Sequence, residues 1–299
     1  MKSERIRIVS PSGAIDPSYI DGAVARLRAW GYNVSVGAHA REVWGRFAGT
    51  DADRLADLTD ALQDPSVDVI LCSRGGYGLQ RIIDRVPPIT KTIIGFSDIT
   101  ALHQLAVISH QPSVHGIMCK HIATLPEDSE PMVALRKVLA GEPLEYSWAA
   151  HPLNREGEAE GILIGGNLSV LYGLQGTQYG LASILDIGHW TLDKKPILLI
   201  EDIGERHYHI DRMMRNLRMS GVLAQIGGLI VGQFSDCEDD PLMHQTVYET
   251  IKEAVADYNY PVLFDAPIGH IEHNVPVRLG APVQITFRST GTGGPYLRG

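Results

Sequence analysis

Ser97 stands in Gly95-Phe96-Ser97-Asp98-Ile99-Thr100, directly after an apolar run and directly before residues of helical character. A serine at such a strand-to-helix turn projects its hydroxyl from the carboxyl edge of a parallel sheet, where open α/β sheets hold their ligands. The backbone N–H of the next residue, Asp98, then points toward a developing oxyanion, so the position suits an acyl-transfer nucleophile. Ile99 occupies the place of the second glycine in the G-x-S-x-G elbow, and the same serine also reads as a plain helix N-cap. Glu201-Asp202 closes the run Ile197–Ile200, where a carboxylate can orient a histidine or simply sit in a solvated turn. His270, in Ile268-Gly269-His270-Ile271, follows the strand-like Val262-Leu263-Phe264 and is a candidate general base.

Arg74-Gly75-Gly76-Tyr77-Gly78 follows another apolar run. Its glycines let backbone approach a ligand closely, and its N–H groups can form an anion nest; a tight glycine turn is the plainer alternative. A dinucleotide fingerprint needs a small third residue, and the register from Gly76 reaches Arg81 instead, which argues against a nicotinamide oxidoreductase. His207 with His209, and His270 with His273, have spacings that suggest metal, but no H-E-x-x-H occurs and no metal or other cofactor is expected. The penicillin-binding S-x-x-K pattern is absent as well.

The elements needed to hold these residues are legible as periodicity. Arg5–Val9 is a short strand, and Ile20, Ala23, Val24, Leu27 and Trp30 form one apolar helix face ended by Gly31. Leu55, Leu58 and Leu62 mark a second helix, with Thr50 and Asp53 spaced as a capping box. Val67–Cys72 and Thr92–Phe96 read as buried parallel strands, each followed by a helix-like segment. Strands alternating with helices predict a parallel sheet covered on both faces. Around residues 141–160 turn and charge signals replace periodicity, which predicts a linker and two domains, 1–145 and 146–299. Beyond it, strands are expected at Gly161–Asn167, Ile197–Ile200, Leu229–Val231 and Val283–Phe287. Helices are expected around Ile210–Leu217 and Val247–Tyr258, and a mobile tail at Thr290–Pro295.

Composition narrows the partners. The net charge of -9 disfavours nucleic acid and anionic membrane, and leaves a small molecule as the expected ligand. No apolar run is long enough to span a membrane. Met1-Lys2-Ser3-Glu4-Arg5 has no apolar signal segment, which predicts a cytoplasmic protein. The three cysteines, Cys72, Cys119 and Cys237, are widely spaced and are expected to be reduced thiols.

Taken in order, several short segments together resemble the LD-carboxypeptidases (muramoyl-tetrapeptide carboxypeptidases) and their relatives, the microcin C self-immunity peptidases. The marks are Phe47-Ala48-Gly49-Thr50 with Arg54-Leu55, Arg74–Gly78, Gly95–Asp98, Gly165-Gly166-Asn167-Leu168, Leu199–Asp202, Ile210–Met213 and Gly269-His270. The resemblance implies a flavodoxin-like (Rossmann-like) N-terminal domain, a smaller β-rich α/β C-terminal domain, a site between them and a homodimer. It implies a triad of Ser97, Glu201 and His270, with an oxyanion hole from the N–H groups of Asp98 and Gly76. The activity implied is hydrolysis of the L,D bond that releases D-alanine from a muropeptide tetrapeptide, in wall recycling. Cleavage of a peptide–nucleotide antibiotic is the alternative within the family, and a non-catalytic binding module the alternative outside it. A carboxypeptidase must grip a terminal carboxylate, and Arg74 beside the glycine loop offers a guanidinium fork; a solvated or interface arginine is the competing role.

Overall fold

The computed structural model describes residues 5–187, 195–289 and 293–299, and the elements below are those of the described residues. Trp190 and Thr290–Thr292 of the glycine-rich tail lie outside them. The chain divides into two units, Met1–Glu142 with Val275–Val277, and Pro143–Asn274 with Arg278–Gly299.

In the first unit, β1 (Arg5–Val9) pairs in parallel with β2 (Asn33–Val36) and with β3 (Val69–Cys72). β3 pairs in parallel with β4 (Thr92–Gly95), and β4 with β5 (Ser113–His115). The order β2-β1-β3-β4-β5 is the flavodoxin-like one, and the strand Val277–Leu279 adds a sixth member at the edge beyond β5. Ile8, Ile70 and Ile93 are fully buried, as strands covered on both faces require. α1 (Pro17–Ala29) is capped by Asp16, whose carboxylate accepts from Ser18 N, and it buries Ile20, Ala23 and Leu27. α2 (Asp51–Gln63) begins with the capping box of Thr50 and Asp53, but its inward face also carries Arg54 and Asp57.

One expectation is corrected here. The strand β3 is followed not by an α-helix but by two 3₁₀ turns, Leu79–Arg81 and Ile83–Arg85. Gly78, at φ +143°, breaks the chain direction before the first turn, and Pro87-Pro88 prevents the second from lengthening. After β4 the expected helix is present as α3 (Thr100–Ile108). α4 (Cys119–Thr124) and α5 (Glu130–Leu139) complete the unit.

The second unit is built on a seven-stranded mixed sheet. Its members are β6 (Glu145–Ser147), β7 (Gly157–Asn167), β8 (Ile197–Ile203), β9 (Gly228–Ser235) and β10 (Val262–Leu263), with the late strands Pro282–Phe287 and Tyr296–Arg298. β7 through β10 run parallel, and β7 pairs antiparallel with Pro282–Phe287 on its other side. The helices are α6 (Leu168–Gly173), α7 (Leu181–Ile187), α8 (His207–Met219), α9 (Val222–Gln225) and α10 (Val247–Ala254). α8 buries Ile210, Met213, Met214 and Leu217, the face expected from spacing.

Two further expectations change. The supposed linker at 141–160 contains β6 and the start of β7, where Glu158 and Glu160 are exposed and Gly157, Ala159 and Gly161 between them bring no large apolar side chain to mark a strand. The described part of the tail is tied in rather than loose: Trp148 N donates to Pro295 O at 3.3 Å, and Tyr296–Arg298 pairs with β6. No helix among the described residues is long and apolar enough to cross a membrane.

Candidate active site

Ser97 begins a 3₁₀ turn, Ser97–Ile99, between β4 and α3, and its φ is +67°. A non-glycine residue in the left-handed region is strained, and such strain collects where surrounding structure holds a reactive group in place. The ordinary cap alternative does not describe it: the N-cap residues here are Phe96 for the turn and Ile99 for α3, neither with a side-chain cap bond. Gly75 packs against the turn so closely that a Cβ there would lie 2.6 Å from Ser97 Cβ and 2.9 Å from its Oγ. The glycine is therefore required by the serine, not merely by its own turn.

The turn and the glycine loop are tied together by side chains. Asp98 is buried, and its Oδ2 accepts from Ser12 Oγ at 2.7 Å and from Leu79 N at 3.0 Å. Burial pushes the Asp98 carboxyl above the usual carboxylate range, against the pull of those two donors and of Arg54. Arg54, wholly buried, donates through Nη1 to Pro11 O at 2.6 Å and Gly78 O at 3.0 Å, and pairs with Asp51. Gly13 N donates to Gly75 O at 3.0 Å, and Arg74 Nη1 donates to Ala14 O at 2.7 Å. Gly76, at φ +102°, follows in the same loop. Beneath the turn, His103 on α3 bridges Gly95 O through Nε2 (2.9 Å) and Ser113 Oγ through Nδ1 (2.9 Å). Burial drives His103 down to about 3, so it stays neutral and donates to Gly95 O. Sequence reading missed Arg54 and His103 as supports, since a buried arginine and a core histidine leave no periodic signal.

In the second unit the structure brings Glu201 and His270 together. Glu201 is fully buried on β8, and His270 Nδ1 lies 2.7 Å from its Oε2. With Nδ1–H donating to the carboxylate, Nε2 carries the lone pair, the tautomer a general base needs. Burial lowers the proton affinity of His270, but the hydrogen bond and charge of Glu201, with the charge of Asp202, outweigh it and leave the imidazole above its ordinary value. Gly269, at φ +136°, makes room for this pair, since a Cβ there would lie 3.1 Å from both Glu201 Cβ and Oε2. Its N–H donates to Asn274 Oδ1 at 3.0 Å, closing the loop that carries His270.

The other candidates go elsewhere. His207 is buried on α8, with Nε2 2.7 Å from Thr250 Oγ1 and Nδ1 accepting from Asp240 N at 3.1 Å, whereas His209 pairs with Glu205 at 2.9 Å. The three cysteines are free thiols. Burial pushes Cys119 up to about 12, Cys237 up to about 11 and Cys72 higher still, so none is a thiolate at neutral pH. Among the described residues one group, His39, Glu42 and Asp53, places metal-type ligand atoms within 4.8 Å of one another; His39 already pairs with Glu42, and Asp53 closes the α2 capping box.

Comparison with known proteins bears on the whole chain. Residues 6–116 match the family model of the LD-carboxypeptidase N-terminal domain, and residues 160–285 that of the LD-carboxypeptidase C-terminal domain. A putative carboxypeptidase of Synechocystis is 35% identical over 94% of this chain and 91% of its own. The murein tetrapeptide carboxypeptidase of Pseudomonas aeruginosa is 28% identical, covering 90% and 89% of the two chains. Among solved structures, the muramoyltetrapeptide carboxypeptidase of Oxalobacter formigenes superimposes with a TM-score of 0.84 at 23% identity, covering 98% of each chain. The microcin C7 self-immunity protein MccF, in its wild-type apo state, does so with 0.81 at 18% identity, covering 99% and 96%. Both structural matches fix the fold, and the two family models with the Synechocystis relative fix the lineage: the chain belongs to the LD-carboxypeptidase family.

Proposed function

We propose that this carboxypeptidase hydrolyses the L,D peptide bond before the terminal D-alanine of a muropeptide tetrapeptide, through an acyl-enzyme on Ser97. The observation that carries the reading is the left-handed Ser97 at the end of β4, pressed against Gly75. Strained serines at strand-to-helix turns are the geometry of hydrolase nucleophiles. The relatives named as murein and muramoyl tetrapeptide carboxypeptidases support the substrate class.

In this mechanism His270 Nε2 takes the proton of Ser97 Oγ while Oγ bonds to the carbonyl carbon. Glu201 holds the imidazole and stabilises it once it is charged. The N–H groups of Asp98 and Gly76 receive the oxyanion, each such donor contributing about 2.7–4 kcal/mol. The C–N bond then breaks, D-alanine leaves with the proton from His270, and water hydrolyses the ester by the same path. Arg74, held by its bond to Ala14 O, is the group proposed to grip the substrate carboxylate. The enzyme is proposed to act in the cytoplasm as a homodimer, which sedimentation at working concentration checks.

The test is mass spectrometry of the free tetrapeptide L-Ala-D-Glu-mDAP-D-Ala incubated with wild type and with Ser97→Ala. Release of D-alanine by wild type alone is the expected result. Release by both overturns the nucleophile, and release by neither overturns the substrate.

A further inference from the structure

The reaction scheme uses only the backbone of Asp98 and leaves its side chain idle, although that carboxylate is buried beside the nucleophile. Its Oδ2 takes donors from two other segments, Ser12 Oγ at 2.7 Å and Leu79 N at 3.0 Å. Leu79 opens the 3₁₀ turn after the glycine loop, and the N-cap of that turn, Gly78, has no side chain to offer, so Asp98 supplies the acceptor. At the other end of the loop Gly75 is pressed against Ser97. The segment Gly75–Leu79 is thus held on residue 97 at its start and on residue 98 at its end, with Gly76 between. A second link closes the same circuit: Ser12 reaches Asp98 through its hydroxyl, and its neighbour Gly13 donates N–H to Gly75 O at 3.0 Å. Three of the five residues Gly75–Leu79 are glycines, two of them at positive φ (Gly76 +102°, Gly78 +143°). Such a segment has little conformational preference of its own, so its shape depends on what grips it from outside.

We infer that Asp98 is a positioning residue through its side chain: by holding Leu79 N and Ser12 Oγ, the carboxylate sets where the Gly76 N–H stands relative to the Asp98 N–H. The inference rests on the proposed role of those two N–H groups as oxyanion donors. One residue then supplies the first donor through its backbone and places the second through its carboxylate. Two donors that converge on a single oxygen must each be held to within about 0.5 Å. A displacement of about 1 Å can cost about 100-fold in rate. The oxyanion exists only beyond the ground state, so the loss falls on kcat and spares KM. A carboxylate that merely satisfied the interior would instead cost stability and leave the turnover of folded protein unchanged.

The experiment measures kcat and KM for D-alanine release from the free tetrapeptide by Asp98→Ala, Asp98→Asn, Ser12→Ala and the Asp98→Ala/Ser12→Ala pair, each shown folded by urea unfolding. Asp98→Ala is expected to lose about 100-fold in kcat with KM within about twofold of wild type. Asp98→Asn keeps an acceptor oxygen in place and is expected to recover to within about tenfold of wild type. Ser12→Ala removes one of the two donors and is expected to lose about tenfold, and the pair to be no slower than Asp98→Ala alone, because both act through one oxygen. Wild-type kcat in folded Asp98→Ala, or losses that multiply in the pair, overturn the inference. Should Asp98→Ala not fold, Ser12→Ala decides, and an unchanged kcat overturns it. Ser97→Ala separates the two ideas: if it keeps full activity the proposed reaction fails. Amide exchange of Gly75–Leu79, followed by mass spectrometry, still tests the clamp in that event; it is expected to quicken in Asp98→Asn and Ser12→Ala, and unchanged protection in both overturns the inference.

Discussion

Ser97 combines strain with the proposed chemistry, and the two can be separated by substitution. Ser97→Ala removes the hydroxyl and keeps the backbone conflict, so it is expected to abolish turnover while staying within about 1 kcal/mol of wild type in urea unfolding. Ser97→Gly removes both, and at φ +67° it is expected to be more stable than Ser97→Ala by roughly 1 kcal/mol while equally inactive. The neighbouring Gly75→Ala places a methyl 2.6 Å from Ser97 Cβ, which predicts a loss of about 1–3 kcal/mol and a large fall in kcat. Asp202 gives a prediction in pH. A carboxyl raised to about 7 binds its proton more tightly folded than unfolded, so this stabilisation is whole below about 4 and is lost as pH rises through about 7. Urea midpoints at both ends of that window are expected to fall more for wild type than for Asp202→Asn.

At the scale of elements, α2 shows how a helix can serve a loop it does not touch in sequence. Its capping box was legible, because Thr50 and Asp53 are local and three residues apart. Its inward arginine was not: Leu55, Leu58 and Leu62 suggested an apolar face, yet Arg54 and Asp57 are buried and Leu55 is only half-buried. Arg54 finds carbonyls at Pro11 and Gly78, and such partners are invisible to periodicity. Arg54→Lys keeps the charge and loses the fork, so it is expected to loosen the Gly75–Gly78 loop and lower kcat more than it changes KM. The parallel strands β3, β4 and β8 were legible as apolar runs, since strands buried on both faces have no polar alternation to confuse. By contrast the start of β7 was hidden by exposed glutamates alternating with glycine and alanine, and the 3₁₀ turns after Gly78 by leucine and isoleucine at helix-like spacing. Of the candidate site, Ser97, Glu201 and His270 are readable as candidates because each stands at or just past an apolar strand-like run. The support beneath Ser97, His103, needed tertiary contacts to be seen.

For the whole molecule, the proposed mechanism draws only on the protein's own side chains and N–H groups. D-alanine release is accordingly expected to be unchanged after dialysis against EDTA; strong inhibition restored by zinc would overturn that scheme. The path of the chain has another consequence. Val275–Val277 belongs to the first unit although it follows nearly the whole of the second, and the strand it begins borders β5. A ribosome making this protein therefore emits β1 through β5 early and the strand that covers their open border late. Until then β5 presents unpaired backbone groups to any neighbouring nascent chain. The unit that holds Ser97, the proposed nucleophile, is therefore finished only after Pro143–Asn274 has been made, so its scaffold waits on codons lying far downstream of its own strands.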